Sequence, residues 1–245
     1  MLFTLEGLAS GSPLVEEAWH GESGRSGTFT SLAVSRSELV VTRSRGRVTV
    51  VLRGPESRAS VAHSPEDAAF FGITFKLGVF LPSLPPAHLL DRHAALPTSG
   101  GSFWLHDRAL PVPGAGDADA FVERLVRLGL LRFEPTVELL LGADRPGPPA
   151  TVRTPERRFL GATGLSQRAV LSIGRARQAV ALLQAGAAIP DVVHDLGYTD
   201  QPHLTRALRH LAGRTPARIV REAWPHSPLG AREWGPDPGP REAGR

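Results

Sequence analysis

The feature that most constrains this chain is a pattern of two short helices joined at a glycine, within residues 189–217. Pro190 suits a first helical turn, where its missing N–H costs nothing. Gly197 can adopt the left-handed backbone that ends a helix. Asp200 can then cap the next helix, with Pro202 still inside its first turn. The sequence therefore predicts a helix, a sharp turn and a second helix.

The second helix of this pair has two chemically different faces. Successive residues lie about 100° apart around a helix, which puts three leucines on one face: Leu204, Leu208 and Leu211. The opposite face carries Thr205, Arg206 and Arg209, with Gln201 and His203 near the helix start. Arg can donate two hydrogen bonds to guanine in the major groove, and Gln can pair similarly with adenine. By spacing alone, this face suits either base reading in DNA or plain exposure to solvent.

A set of motif residues narrows the interpretation: Gly197-Tyr198, Leu204-Thr205-Arg206 and Gly213-Arg214-Thr215-Pro216. Together they resemble the second helix-turn-helix unit of the AraC/XylS family of bacterial transcription regulators. The resemblance implies sequence-specific binding to promoter DNA, with a recognition helix in the major groove. It implies base reading by Gln201, Thr205, Arg206 and Arg209, and contacts to the phosphate backbone by Arg214 and Arg218. His203 either contacts DNA or caps its own helix, and both alternatives stay open.

A weaker copy of this unit precedes it. Residues 151–164 resemble the family's first recognition helix, which implies that Arg153 and Arg157 point into the groove and Phe159 into the core. Pro155 stands where the family usually has a buried Leu, and a proline inside a helix costs roughly 3 kcal/mol. We therefore expect the helix to begin one residue before Pro155, with Arg153 in the preceding loop. The first unit should then mainly bind phosphate.

Residues 1–115 are predicted to be rich in β-structure. Short runs of β-branched and aromatic residues alternate with turn signals, and they cover residues 29–34, 39–42, 48–52 and 70–75. Strands of this length and spacing suggest a barrel or a sandwich. Residues 71–97 resemble the regulatory domain of a subset of actinobacterial-type AraC regulators. That resemblance implies a domain that senses a signal or mediates dimerisation.

Two longer helices are predicted after the β-rich part. Residues 117–131 are amphipathic, with Phe121, Leu125, Leu128 and Leu131 on one face. This helix is either a hinge into the helical half or part of a dimer seam. A helix from near Gln167 to Ala187 resembles the family's rigid connector between the two units. The fold class is α+β, with a β-rich domain over 1–115, a linker helix over 116–133, an all-α helix-turn-helix domain over 134–222 and a disordered tail over 223–245.

Positive charge is concentrated in the predicted helical domain. Residues 151–221 hold eleven arginines against four acidic residues, a net charge of +7 in a chain whose total is +4. Such a concentration is typical of phosphate-binding surfaces. The absence of cysteine excludes disulfides and cysteine-ligated zinc. No apolar run approaches the ~20 residues of a membrane span and no basic leader opens the chain, so we expect a cytoplasmic protein without membrane contact.

No constellation of residues predicts catalysis or a bound cofactor. His88, Asp91 and His93 could ligate a metal, with His106 and Asp107 nearby, but their spacing matches no tight ligand motif. Fingerprints of a P-loop, a dinucleotide site and a nucleophile elbow are all lacking. We therefore expect a protein that is not an enzyme and holds neither cofactor nor metal.

The expected partners are double-stranded DNA, a small-molecule effector, a second copy of the chain in a homodimer, and RNA polymerase if the protein is an activator. Two alternatives stay open. One is an enzyme domain, of cupin type or a transferase, fused to a DNA-targeting helix-turn-helix module. The other is a DNA-packaging protein that is indifferent to sequence, which would bind random and cognate duplexes equally.

Overall fold

The computed structural model describes residues 3–142 and 153–222, which form thirteen strands and seven α-helices. Most strands precede the helices along the chain, so the predicted α+β class is confirmed. The tail over 223–245, predicted to be disordered, lies outside the described residues. Within the two described ranges, no helix is long and apolar enough to cross a membrane.

The strands form one large sheet and three small ones, with antiparallel pairing throughout. In chain order they are β1 Phe3–Leu8, β2 Val15–Ser23, β3 Gly27–Ser31, β4 Glu38–Ser44, β5 Arg47–Arg53, β6 Ser60–Ser64, β7 Ala68–Phe75, β8 Val79–Phe80, β9 His93–Leu96, β10 Thr98–Ser99, β11 Ser102–Leu105, β12 Arg108–Pro111 and β13 Arg132–Phe133. The large sheet has the order β1-β2-β7-β4-β5-β9. The small sheets are β10-β11-β12, β8 with β13, and β3 with β6.

The central hairpin β4–β5 follows directly from its sequence. Arg45 and Gly46 have positive φ angles of 50° and 71°, as a tight two-residue hairpin turn requires at both positions. Alternation along a strand then gives the sheet two different faces. On β4, Leu39 and Val41 are buried in the core, whereas Val40 points to the opposite face.

One face of the large sheet builds the amino-terminal core together with β11, β12 and the helix α1 (Ala118–Arg127). Phe121 and Leu125 of α1 are buried, and the rings of Phe121 and Phe103 lie 6.1 Å apart. The amphipathic helix predicted over 117–131 is thus confirmed in type, although it ends four residues early. Its apolar face is covered by the sheet of the same chain, so that face is not free to form a seam with a second copy.

The predicted strand over 29–34 is wrong at its carboxyl end. β3 stops at Ser31, and the next two residues lie outside any strand. Ala33 is only 1% exposed, and its neighbours are residues of the helical core. Leu32 and Ala33 are apolar because they pack against the helices, and an apolar run alone does not distinguish this from burial in a sheet.

The helical half has its own core. Its elements are α2 Thr136–Gly142, α3 Arg153–Thr163, α4 Gln167–Gln184, α5 Ile189–Asp195, α6 Gln201–Leu211 and α7 Pro216–Arg221. The long helix predicted from near Gln167 is confirmed as α4, and Ser166 caps it by accepting the N–H of Ala169 at 3.2 Å. Ile173 and Leu183 of α4 are buried against the neighbouring helices.

The position of α1 in the amino-terminal core can be tested by truncating one buried side chain. Phe121→Ala should lower the free energy of unfolding by about 3–5 kcal/mol, because it leaves a cavity against Phe103. Val126→Ala on the exposed face of the same helix, where Val126 is 43% exposed, should change it by less than about 0.5 kcal/mol. Urea unfolding followed by fluorescence measures both. Equal effects would place the apolar face of α1 outside the core.

Candidate nucleic-acid interface

The pair α5–α6 has the local structure that its sequence predicts. Pro190 lies in the first turn of α5, and Gly197 has a φ of 64° in the turn that follows the helix. The carboxylate of Asp200 accepts the backbone N–H of His203 at 2.6 Å and caps α6. The two helices therefore meet at a sharp, locally encoded turn, as in a helix-turn-helix motif.

The two predicted faces of α6 differ in burial as expected. Leu204 and Leu208 are fully buried and Leu211 is 8% exposed. On the opposite side, Gln201, Arg206 and Arg209 are exposed and Thr205 is half-buried. Among the described residues, no carboxylate forms an ion pair with Arg206 or Arg209. The helix thus presents two open guanidinium groups on a surface that is anchored from behind by leucines.

His203 is in the first turn of α6, and its side chain contacts the preceding turn. Its Nδ1 accepts the N–H of Thr199 at 3.3 Å, and its ring meets the ring of Tyr198 edge-on at 5.2 Å. The guanidinium of Arg175 lies 5.4 Å from the centre of the same tyrosine ring. Burial raises the pKa of Tyr198, and the charge of Arg175 opposes that shift. This is the geometry of the capping alternative, and a DNA contact by His203 stays a prediction.

Arg214 and Arg218 share one carboxylate. Arg214 donates to Glu222 at 2.9 Å, and Arg218 donates to the other oxygen of Glu222 at 2.7 Å. The hydrogen bond from Arg218, helped by the charges of nearby arginines, lowers the pKa of Glu222 despite some desolvation. No sequence pattern pointed to Glu222, which lies just beyond the arginine-rich range 151–221. A DNA phosphate that contacts either arginine must compete with this carboxylate.

The first unit departs from its prediction at one end. α3 begins at Arg153, so the expectation that Arg153 lies in a loop is wrong. Pro155 is the third residue of the helix, where an N–H has no acceptor within the helix, and the proline is tolerated for that reason. Phe159 is 1% exposed, which confirms its predicted place in the core. Arg157 is exposed on the outer side of α3.

Not all of the positive charge in this half faces outward. Arg177 of α4 donates to the backbone carbonyl of Ala33 at 3.2 Å. Desolvation by burial, together with the nearby charge of Arg36, lowers the pKa of Arg177 to about 10. Arg177 therefore belongs to the contact between the helices and the β-rich half, and Arg175 belongs to the turn beside Tyr198. The surface available to phosphate is smaller than the count of eleven arginines implies.

The last turn of α6 is held by the β-rich half of the chain. The N–H of Ala33 donates to the carbonyl of Leu211 at 2.8 Å, and the N–H of Ala59 donates to the carbonyl of His210 at 2.9 Å. The last carbonyls of a helix have no partner within it, so these two bonds satisfy groups that α6 leaves open. We call this contact the α6 junction. No sequence pattern pointed to it, because its partners are far apart along the chain.

Both helix-turn-helix units end in a glycine packed closely against the β-rich half. Gly164 has a φ of 70°, and a Cβ there would lie 2.8 Å from the backbone carbon of Pro86. Gly213 has a φ of 68°, and its Cβ would lie 3.0 Å from Thr30. Only glycine combines this backbone with so close an approach. The glycines of the two motifs therefore also fit the helices to the β-rich half.

A cavity of about 620 Å³ lies beside the α6 junction. Its floor is the second face of the large sheet, with Val40, Val51 and Phe70, and its cover is the two-stranded sheet of β3 and β6. Trp19 also lines it, and Gly72 leaves room for the indole ring, which a Cβ at that position would overlap. Volumes of this size are typical of small-molecule sites. The sequence analysis did not locate this cavity.

Three ionisable side chains meet at one end of the cavity. Arg53 lies 3.0 Å from Glu56 and 3.7 Å from Glu38. Glu38 also accepts hydrogen bonds from Trp19 at 2.8 Å and Thr74 at 3.2 Å. Burial lowers the pKa of Arg53, but the two carboxylates outweigh burial, so that the pKa lies above its ordinary value. We call Glu38, Arg53 and Glu56 the charged cluster.

Of the residues weighed as metal ligands, Asp91 is hydrogen-bonded to another segment of the chain. Asp91 accepts the backbone N–H and the hydroxyl of Ser57, both at 2.7 Å. Among the described side chains, no group of three or more His, Asp or Glu is arranged to hold a metal ion.

The contact between the first unit and the β-rich half can be tested at Gly164, with Gly197 as a matched control. Both have positive φ, but Gly197 faces open space. Gly197→Ala should lower the free energy of unfolding by about 1–2 kcal/mol, from backbone strain alone. Gly164→Ala should lower the free energy of unfolding by ~1–3 kcal/mol more than Gly197→Ala does, because its Cβ clashes with Pro86. Equal losses in urea unfolding would show that Pro86 does not pack against this turn.

The helical half of the chain is similar to a known type of domain. Residues 150–222 match a family model described as a helix-turn-helix domain. No curated protein matches the chain in sequence. Two solved structures of ToxT from Vibrio cholerae align with it at 9% and 10% identity, over 90% of this chain and 98% and 97% of theirs, with TM-scores of 0.41 and 0.40. The family match alone identifies residues 150–222 as a helix-turn-helix domain, of the AraC type that their motif residues predicted.

Proposed function

We propose that this chain is a sequence-specific DNA-binding transcription regulator that inserts α6 into the major groove of promoter DNA. The observation that carries the proposal is the division of α6 into a leucine face that is buried and an arginine face that is open. A groove-reading helix needs both, because the buried face fixes its orientation and the open face meets base edges.

Base reading falls to side chains along the open face of α6. Recognition helices contact bases mainly through residues near their amino-terminal end, and Gln201 and Thr205 lie there. Arg206 and Arg209 follow, with guanidinium groups suited to guanine. The backbone carbonyls of His210 and Leu211, directly after Arg209, are held at the α6 junction. The helix is therefore anchored by backbone groups and leaves the side chains of its open face available.

The first unit and α7 serve the phosphate backbone. Arg157 is exposed on α3, and Arg153 lies in the first turn of the same helix. Arg214 and Arg218 can add contacts when a phosphate competes with Glu222 for their guanidinium groups. α4 holds the two units at a fixed separation. Contacts to phosphate position the protein without selecting a sequence.

Control by a small-molecule effector is part of the proposal, and the cavity supports it. The cavity is lined by Ser31 and Glu56, and Ala33 and Ala59, a few residues further along each segment, form the α6 junction. A ligand that changes the position of these segments would therefore act directly on the end of α6. Such a ligand controls DNA binding only if it binds the two arrangements with different affinity.

The remaining parts of the proposal follow from this role. The β-rich domain over 1–115 senses the effector, the segment 116–133 links it to the helix-turn-helix domain over 134–222, and the protein acts in the cytoplasm. Assembly into a homodimer would place two copies on neighbouring half-sites, and an activator would also contact RNA polymerase.

The proposed roles predict that replacing Arg206 and replacing Arg157 weaken DNA binding in different ways. A cognate duplex is first obtained by selecting bound sequences from a random pool. Arg206→Ala should then weaken binding to that duplex by about 1–3 kcal/mol and leave binding to a scrambled duplex nearly unchanged. Arg157→Ala should weaken both alike. Fluorescence anisotropy at one fixed salt concentration measures these dissociation constants.

Arg127→Ala, on α1 and away from the helical half, serves as the control and should change neither constant. Equal weakening of both duplexes by Arg206→Ala would contradict base reading by α6. A wild-type protein that binds selected and scrambled duplexes equally would instead be a DNA-packaging protein.

Glu222 should restrain phosphate binding. Glu222→Gln removes the charge that Arg214 and Arg218 share, so affinity for both duplexes should rise. The slope of log K against log salt should steepen by up to about 2, roughly one per arginine released to phosphate. Glu123→Gln on α1 makes the same change in net charge at a distant site and should have little effect. If both variants behave alike, Arg214 and Arg218 do not contact DNA.

A further inference from the structure

The cavity under the β3–β6 cover has a defined shape and chemistry. Its middle is apolar, with Val40 and Val51 on the floor and Phe29 on the cover. Glu38 marks one end of the floor and Thr42 the other, on the same face of β4. Four residues of a strand span roughly 13 Å. An occupant with an apolar body of about that length therefore fits along β4.

The charged cluster gives one end of the cavity an excess of negative charge. Glu38 and Glu56 share the guanidinium of Arg53, and their side chains are only 6% and 13% exposed. Arg177 also interacts with Glu38, but it is near Glu16, Glu17 and Arg36 as well, so the connected charges are four carboxylates against three guanidinium groups. The nearby pair Asp91 and Arg92 adds no net charge. Buried charge without compensation is costly, so a cationic group entering at this end would be stabilised.

The carboxylates at this end can also accept further hydrogen bonds. Oε1 of Glu38 is occupied by Trp19 and Thr74. Its Oε2 has the guanidinium of Arg53 at 3.7 Å, which is beyond hydrogen-bonding distance. Oε2 of Glu56 accepts one hydrogen bond, from Ser31 at 3.0 Å. A carboxylate oxygen can accept about two, so both residues can accept a further N–H.

The opposite end carries hydroxyl groups. Thr42 and Thr49 face each other across the floor. On the cover, Ser64 is 3% exposed and, among the described residues, its hydroxyl has no hydrogen-bond partner. That oxygen is enclosed by protein atoms, so the hydroxyls that a ligand in the cavity could reach at this end are those of Thr42 and Thr49.

From these observations we propose that the cavity binds a mainly apolar small molecule with a protonated amine at the end that contacts Glu38 and Glu56. The amine donates to the open carboxylate oxygens and offsets the negative charge that remains at this end. The apolar body lies between the valines of the floor and the rings of Phe29 and Trp19.

This inference deepens the proposed function, since an effect of the amine on DNA binding rests on that function and amine binding itself does not. A ligand that contacts Glu56 contacts the segment that includes Ala59, whose N–H forms part of the α6 junction. The test of binding is made without DNA, so the two proposals can fail separately. A protein that prefers amines but ignores DNA sequence would overturn the proposed function alone.

The test uses three probes with the same body and different ends: phenylbutylamine, phenylbutanol and phenylbutanoate. Calorimetric titration of the full chain at neutral pH should show the amine binding at least about tenfold more tightly than the carboxylate, a difference of about 1.4 kcal/mol, with the alcohol in between. Glu38→Gln and Glu56→Gln should each reduce that preference. Glu123→Gln, outside the cavity, should preserve it.

A substitution in β6, which covers the cavity, supplies a second measurement. Ala62→Leu places extra volume in the cavity and should weaken all three probes while the protein stays folded, as judged by its unfolding midpoint. The proposal is overturned if the carboxylate binds most tightly, if none of the probes binds, or if Ala62→Leu leaves amine binding intact.

Discussion

The orientation of α6 depends on the hydrogen bonds that the backbone carbonyls of its last turn accept. The carbonyls of His210 and Leu211 would be open at an isolated helix end, and backbone N–H groups of Ala59 and Ala33 close them. These donors belong to the β-rich half, so the orientation of α6 is set by the rest of the chain and not by its own unit alone. With this end fixed and the leucines buried behind it, Arg206 and Arg209 can only face outward.

The same contact joins the two halves of the molecule. Ser31 and Glu56 line the cavity, and the segments that carry them continue to the α6 junction. Only a few residues of backbone therefore separate the cavity from α6. Arg177 lies at this contact as well, on the carbonyl of Ala33. A signal read by the charged cluster would need no long pathway to reach the helix proposed to read DNA.

Local chemistry made part of this structure predictable. The turn at Gly197, the cap at Asp200 and the leucine spacing of α6 depend on neighbours along the chain, and all three were found as expected. Contacts between distant segments were not predictable in this way. The end of β3 at Ser31, the cavity and the α6 junction all depend on tertiary packing. The start of α3 at Arg153 was missed because a proline is tolerated throughout a first turn, not only at its first residue.

The most direct measurement of the central claim uses the fact that the chain has no cysteine. Gln201→Cys creates a single site for a DNA-cleaving iron chelate at the amino-terminal end of α6. The account predicts cuts at a few discrete nucleotides in each selected half-site, and none when the chelate is attached through Glu123→Cys on α1. Absence of cutting from position 201, or the same diffuse cutting from both positions, would contradict insertion of α6 into the groove.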